Sequence, residues 1–215
     1  IGAALISVIL ALFLGYGKRI IPGKATIASI RMASIGYAIP GTVVAVGIII
    51  PFAWIDGRID ILMQSGFGIS SGLIFSGTLI AVMFAYVVRF LSISLQTVES
   101  GLEKIKPSMD DAARSLGCRH RETLFKIHIP LLKSSTLTAL MIVFVDVMKE
   151  LPATLILRPF DFNTLAVRAF ELASDERLAD SSTAALTIVV VGLLPVIYLS
   201  KTISHSRLYQ GNTKI

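Results

Sequence analysis

Five long apolar segments, separated by polar ones, constrain this chain more than any other feature. They are Ile1–Tyr16, Ser34–Trp54, Gly72–Val88, Ser134–Leu157 and Ser182–Ser200. A helix that crosses a bilayer needs about 20 predominantly apolar residues, and the first segment is slightly short of that, as expected of a truncated helix. Hydrophobic residues make up 54% of the chain and charged residues 16%. The mean hydropathy is +0.77, far above that of soluble domains. The sequence therefore predicts an all-α, polytopic membrane protein, a helical bundle of about five transmembrane helices.

The distribution of Lys and Arg predicts the orientation of the chain, because basic residues close to a span are retained in the cytoplasm. One side of the predicted bundle collects Lys18, Arg19, Lys24, Arg31, Arg89, Lys104, Lys106, Arg114, Arg119, Arg121, Lys126, Lys133, Lys201, Arg207 and Lys214. The other side has Arg58, Arg158, Arg168 and Arg177. We therefore expect a transmembrane domain at residues 1–204, with the central loop (99–133) and a C-terminal tail (205–215) in the cytoplasm. Topology accounts for the pI of about 9.6, so no nucleic-acid partner is expected.

The central loop contains a predicted short helix. Pro107 and Ser108 are typical of a helix start, and Asp111 is placed to complete a capping box with Ser108. Gly117 supplies the stop. A helix well below about 12 residues is marginal in water unless packing holds it, so the segment implies a docking surface.

Small and apolar side chains, at Ala112, Ala113 and Leu116, lie together on this helix and permit close approach of another surface. A second short helix is expected at Arg121–His128. It should end near Ile129, because Pro130 disfavours helical geometry in the residue before it.

The segment Phe160–Ser181 is predicted to lie on the outer side and to contain a short amphipathic helix. Leu165, Ala169, Leu172 and Ala173 recur there at helical spacing. Two interpretations remain open: a helix that only covers the spans, or a surface that binds a partner.

Three ionisable residues, Asp146, Lys149 and Glu150, interrupt the fourth apolar segment. Each costs about 2.5–3.5 kcal/mol in lipid, so together they should face protein or water. Asp146 and Lys149 are neighbours on a helix, which leaves one acid over. One interpretation is an interhelical salt bridge that fixes packing, with Glu150 reaching toward the outer interface. The other is a translocation path lined by this cluster, with Pro152 bending the helix at a gate.

No catalytic or cofactor-binding pattern is present in the sequence. The pairs Gly17-Lys18 and Gly23-Lys24 lack the upstream glycine and the following hydroxyl of a phosphate-binding loop. His120, His128 and Cys118 do not have metal-ligand spacing. We therefore expect neither a metal nor ATP on this chain, and no enzymatic activity.

The central loop also carries a recognisable signature. D-A-A at Asp111–Ala113, three residues, Gly117, nine residues and I-H-I-P at Ile127–Pro130 resemble the E-A-A-x-x-x-G-x9-I-x-L-P signature of binding-protein-dependent ABC-transporter permeases. Asp111 replaces the usual Glu and Ile129 the usual Leu, which preserves charge and bulk.

The resemblance extends over nearly the whole chain. The stretches Gly36–Gly47, Met148–Pro159 and Ala173–Arg177 are similar to the iron(III)-transport permeases in particular, and to the second of their two membrane halves. The resemblance implies the MetI-like ABC permease fold and a loop that fits a groove on a separate ATPase. The coupling residues it implies are Asp111, Ala112, Ala113, Gly117, Ile127, Ile129 and Pro130.

The resemblance also implies partners and a place in the cell. These are a cytoplasmic ABC ATPase dimer that holds ATP and Mg, a periplasmic substrate-binding protein and a second permease half, in the lipid of a bacterial inner membrane. The expected substrate is ferric iron; thiamine, phosphonate, sulfate and polyamine are alternatives on the same scaffold. A secondary transporter or a membrane scaffold is the alternative class, although neither explains the glycine-centred motif.

Overall fold

The computed structural model describes the backbone of residues 1–211 and the side chains of residues 1–198 and of Lys201. Over these residues the chain is helical without strands, which confirms the predicted all-α class. The helices are α1 (Gly2–Ile20), α2 (Lys24–Ile35), α3 (Gly41–Phe67), α4 (Leu79–Leu102), α5 (Pro107–Ser115), α6 (His120–Met148), α7 (Pro152–Leu157), α8 (Leu165–Ser174) and α9 (Leu178–Gly211). The predicted tail, 205–215, lies outside the residues whose side chains are described.

Five of these helices are long and apolar enough to cross a membrane within the described residues. They are α1, α3, α4, α6 and the Leu178–Tyr198 part of α9. The predicted number of spans is confirmed, and α8 confirms the predicted short helix after Phe160. The first span extends to Ile20 and has 19 residues, so the expectation that it is short of a full span is wrong. The boundaries of the second, third and fourth spans also differ from the predicted ones.

The third span is Leu79–Leu102 rather than Gly72–Val88. Residues 68–78 are not α-helical. Helix α3 ends at Phe67, because the next residue, Gly68, adopts a left-handed conformation with a φ of +67° that terminates the helix. The carboxylate of Asp56 on α3 then accepts the backbone N–H groups of Ile74, Phe75 and Ser76, at 3.1, 2.9 and 2.8 Å. These bonds satisfy a non-helical backbone that would otherwise lack partners. The sequence pattern placed Asp56 in a loop, but it is a buried residue of a long helix.

The fourth span begins at His120 rather than Ser134, and the predicted helix end near Ile129 is wrong. A π-helical turn at Leu124–His128 precedes Pro130, and the Ile129 N–H donates to the Leu124 carbonyl five residues back. The wider turn restarts the α-helical bonding at Ile129, so Pro130 occupies a first-turn position where a missing N–H is tolerated. The helix therefore continues through the proline.

The bundle is built around α4, of which half is buried, a larger share than in any other described span. Gly2 of α1 lies against Met83 and Gly15 against Leu102, so α1 and α4 run in the same direction. α6 runs the opposite way, since its early residues Leu132 and Ser135 abut Gly101 near the end of α4. The end of the bundle where α1 and α4 finish, and where α5 lies, is called the α5 end below.

The second and fourth predicted apolar segments are each interrupted at the same level of α4. The predicted Ser34–Trp54 segment is not one continuous helix, because it contains the end of α2, a 3₁₀ turn at Gly36–Ala38 and the start of α3. A Cβ on Gly36 would overlap the Val88 carbonyl oxygen, so the backbone at this break is in contact with the backbone of α4. The predicted Ser134–Leu157 segment breaks between α6 and α7, at 149–151, beside Gly41. Helix breaks of this kind form substrate sites in known membrane transporters.

Candidate functional sites: the α5 surface and the helix breaks

Helix α5 is held by backbone geometry and packing rather than by the predicted capping box. Pro107 occupies its first turn as expected, but the N-cap is Lys106 and no side chain caps the helix. Ser108 lies inside the first turn. The Asp111 carboxylate accepts instead from Arg114 at 3.0 Å, and both side chains are largely exposed, at 70% and 61%. The capping prediction is therefore wrong, and Asp111 is available to a partner.

Gly117 ends α5 in the predicted turn. Its φ is +81°, in the left-handed region that favours glycine. The Cys118 N–H donates to the Ala113 carbonyl at 3.0 Å and the Gly117 N–H to the Arg114 carbonyl at 2.9 Å, the paired bonds of a Schellman motif. A tight, hydrogen-bonded turn therefore fixes how α5 projects from the protein.

Ala112 and Ala113 on α5 face different ways. Ala113 is 2% exposed and packs onto the bundle, whereas Ala112 and Leu116 are exposed, Leu116 at 84%. The expectation that Ala112 and Ala113 share one docking surface is wrong, because adjacent helical residues point about 100° apart and only Ala112 faces solvent here. Ala113 lets α5 approach its own bundle closely, and Leu116 stands out as an apolar contact.

Next to Leu116 is an open recess of about 740 Å³. It is lined by Arg114, Cys118, Arg119, His120, Arg121, Glu122, Phe125 and Lys126. Further along α6, Ile127 and Ile129 are half-buried and Pro130 is exposed. The recess combines an exposed aromatic ring, Phe125, with an excess of basic groups.

Sequence reasoning missed the residues that anchor α5. The Asp110 carboxylate accepts from Arg19 Nε at 2.7 Å, and its other oxygen lies 2.6 Å from Nε2 of the fully buried His128. Arg19 also donates to the carbonyls of Leu102 and Ile105, both at 2.8 Å. The sequence pattern does not distinguish Asp110, which is anchored to the bundle, from its exposed neighbour Asp111.

Electrostatics support this anchor. Burial raises the pKa of the Asp110 carboxyl, but the hydrogen bonds with Arg19 and His128, together with the positive charge of Arg19, outweigh it and hold the pKa below its usual range. Asp110 is therefore ionised at neutral pH and stabilises Arg19 in place.

The second site lies where the two broken spans meet. Lys149 Nζ is 2.7 Å from Asp146 Oδ1, which confirms the predicted pair. Lys149 is 61% exposed while Asp146 is nearly buried. Tyr37, in the break of the second span, is close enough to interact electrostatically with Lys149 and is itself half-exposed. Pro152 is exposed beside them and starts α7, so it opens a new helix rather than bending a continuous one.

Glu150 points away from this exposed group. Its Oε2 lies 2.5 Å from Arg89 Nη1, and its Oε1 accepts the Ala153 N–H at 3.2 Å. Glu150 is 6% exposed and Arg89 17%, so the prediction that Glu150 reaches the outer interface is wrong. The same interpretation also predicted an interhelical salt bridge that fixes packing, and the Arg89–Glu150 pair is such a bridge. Sequence reasoning placed Arg89 just outside the third span, on the cytoplasmic side, but it is in the middle of α4.

Gly41 makes the Glu150–Arg89 contact possible. A Cβ at Gly41 would lie 2.5 Å from Arg89 Nη1 and 2.7 Å from Glu150 Oε1. The first residue of α3 must therefore be small. The ion pair joins α4, the start of α3 and the α6–α7 break into one rigid junction.

The family model described as binding-protein-dependent transport system inner membrane component matches residues 5–209. The chain belongs to this permease family. The permease is thus an inner-membrane component of the ABC-transporter class, consistent with its several apolar helices.

Relatives with assigned transport systems are of two kinds. The permease is 30% identical over 125 residues, 58% of this chain and 24% of the relative, to the Fe(3+)-transport system permease protein FbpB 2 of Haemophilus influenzae. It is 31% identical over 156 residues, 73% of this chain and 52% of the relative, to the putative 2-aminoethylphosphonate transport system permease protein PhnV of Salmonella typhimurium. The ferric transport system permease protein FbpB of Actinobacillus pleuropneumoniae is 24% identical over 192 residues, 89% of this chain and 25% of the relative. The chain thus spans between a quarter and a half of the length of these relatives.

Proposed function

We propose that this permease is the pore-forming half of an ABC importer, driven by ATP hydrolysis on a separate ATPase dimer that docks on α5. The observation that carries the proposal is the projection of α5 from the bundle. A hydrogen-bonded glycine turn fixes the helix, and its outer face presents Leu116, Ala112 and the Asp111 carboxylate. A scaffold or a secondary transporter has no need of such an element.

In this proposal the α5 end is cytoplasmic, and the basic residues around α5 support that orientation. ATP and Mg are held by the partner, and α5 with the recess beside it fits a groove on that partner. Asp111 is the charged contact, Leu116 and Phe125 are the apolar contacts, and Gly117 fixes the angle of the helix. The opposite end, with α8, receives a periplasmic binding protein.

The two helix breaks are the proposed translocation path. Among the charged side chains at the breaks, Lys149 is the one that is largely exposed. A charged amine is unfavourable in lipid, so Lys149 needs contact with water or with another protein surface. A water-lined path next to a second permease half, in the same longer chain or in another copy, supplies the solvation. Asp146 and Pro152 lie beside Lys149, and Glu150 holds the path in shape through Arg89.

Ferric iron is the proposed substrate, because Fe(3+) systems recur among the relatives and the sequence resembles them along its length. 2-Aminoethylphosphonate is the second candidate, since the PhnV permease aligns over 73% of this chain. Thiamine, sulfate and polyamine remain weaker alternatives. The binding protein's affinity for ferric iron against 2-aminoethylphosphonate, measured by calorimetry, separates the two leading candidates.

Docking is tested by affinity purification of the tagged permease from membranes with its ATPase. Gly117→Asp and Leu116→Asp should leave the permease in the membrane and abolish substrate uptake. Gly68, also a left-handed glycine with open space around it but at the opposite end of the bundle, provides a matched control as Gly68→Asp. Normal ATPase recovery together with normal uptake in both α5 variants would contradict the proposal.

A further inference from the structure

The anchor of α5 connects it to one particular span. Arg19 is in the last turn of α1, and its guanidinium donates to three acceptors: the Asp110 carboxylate on α5 and the carbonyls of Leu102 and Ile105. The two carbonyls end α4 and lead into α5. A planar guanidinium with fixed donors holds such a set of acceptors in one geometry.

The same carboxylate connects α5 to α6. His128, in the π-helical turn, contacts Asp110 and packs against the Tyr16 ring of α1, with ring centroids 5.0 Å apart. The Tyr16 hydroxyl donates to the carbonyl of His120, the first residue of α6, at 2.8 Å. Two residues of α1, one turn apart, therefore bind both flanks of the docking surface.

We propose that Arg19 and Asp110 are positioning residues that make α1 move with α5 as one body, so that α1 transmits the docking movement into the bundle. This inference rests on the proposed function of α5. Without the anchor, α5 is a nine-residue helix attached to the bundle through its backbone and Ala113. With it, a displacement of α5 reaches α1, which packs along the whole of the central helix α4.

A neighbouring ion pair provides a matched control. Lys18, adjacent to Arg19, pairs with Glu99 on α4 at 2.7 Å and does not contact α5. Both pairs hold the same end of α1 to the bundle, but only one includes the docking helix. Lys18→Gln therefore tests loss of an α1–α4 pair, and Asp110→Asn tests loss of the α1–α5 connection.

The experiment measures substrate taken up per ATP hydrolysed by the complete transporter, with its ATPase and binding protein, in proteoliposomes. Asp110→Asn should keep the ATPase bound and hydrolysing, while uptake per ATP falls about tenfold or more, the factor for one lost charged hydrogen bond. Lys18→Gln should retain the wild-type ratio. A wild-type ratio in Asp110→Asn, or an equal loss in Lys18→Gln, overturns the inference.

Cross-linking gives a readout that simple destabilisation would not move. Cys118 is the single cysteine, so Cys118→Ser, Arg19→Cys and Asp110→Cys together create one defined pair. Bridging the pair with a short thiol-reactive linker should restore uptake toward that of the Cys118→Ser parent. Abolition of the residual uptake would mean that α1 and α5 must separate, which contradicts the inference. Failure of the wild type to bind an ATPase would instead reject the proposed function itself.

Discussion

Glu150→Gln perturbs the helix-break junction in the most specific way, because the substitution changes charge with almost no change of shape. The amide oxygen of Gln can still accept the Ala153 N–H that Glu150 Oε1 accepts at 3.2 Å. What is lost is the negative charge beside Arg89 Nη1, 2.5 Å away. With Glu150 6% and Arg89 17% exposed, the cation is left largely desolvated and unpaired.

The magnitude follows from this burial. Removing one partner of a buried ion pair costs about 3–5 kcal/mol, whereas an exposed pair contributes about 0–1 kcal/mol. Glu150→Gln should therefore lower the free energy of unfolding by about 3–5 kcal/mol. Lys149→Gln, which breaks the more exposed pair with Asp146, should lower it by about 1 kcal/mol or less.

The assay is unfolding of the purified permease in mixed micelles by increasing denaturing detergent, followed by tryptophan fluorescence of Trp54. The double variant Arg89→Met with Glu150→Met removes both charges and should lose much less stability than Glu150→Gln, because no buried charge remains. A Glu150→Gln loss of stability no larger than that of Lys149→Gln, or a double variant less stable than Glu150→Gln, would show that the unpaired Arg89 charge does not have the expected cost.

Three shorter predictions concern single positions. Gly36→Ala should destabilise the permease by about 1–3 kcal/mol in the same assay, because the new Cβ meets the Val88 carbonyl oxygen; Gly47→Ala, with open space around it, is the control and should not. Gly117→Val should strain the turn at φ +81° by about 1–3 kcal/mol and abolish uptake at normal membrane levels, measured by transport and immunoblot. The difference in melting temperature between wild type and Asp110→Asn should be present above about pH 4 and shrink as the pH falls through the folded-state pKa, because a carboxyl whose pKa is lowered by Arg19 and His128 stabilises the fold only when ionised.

Local chemistry was readable from the sequence. The Gly117 turn, the Pro107 start and the Asp146–Lys149 pair each depend on residues within four positions of one another, where helix geometry fixes distances. Apolar length fixed the number of spans in the same way. The signature spacing was also local, and the family match over residues 5–209 agrees with it.

Contacts between distant segments were not readable. Arg19 and Asp110 are 91 positions apart, so no local pattern distinguishes Asp110 from Asp111 as the anchored acid. Arg89 was placed outside the third span, because the apolar run that predicts the span ends at Val88. The structure offsets its cost in α4 with a carboxylate from another span.

The sequence did not predict correctly where helices continue and where they break. Pro130 ends an ordinary helix, but the π-helical turn before it changes the register of the hydrogen bonds. Conversely, the second and fourth predicted segments are continuous apolar runs in the sequence, although the helices in both are broken. Hydropathy indicates that a segment lies in the membrane, but it does not show whether its backbone forms one unbroken helix.

The proposed function depends on the coupling of α5 to an ATPase. ATP-dependent uptake of radiolabelled substrate tests this coupling, in proteoliposomes that contain the permease, its second half, the ATPase and the binding protein. Uptake should need ATP hydrolysis and should be lost when Leu116, 84% exposed on α5, is replaced by Asp. Uptake that proceeds without ATP, or that Leu116→Asp leaves intact with the ATPase still bound, would contradict this coupling.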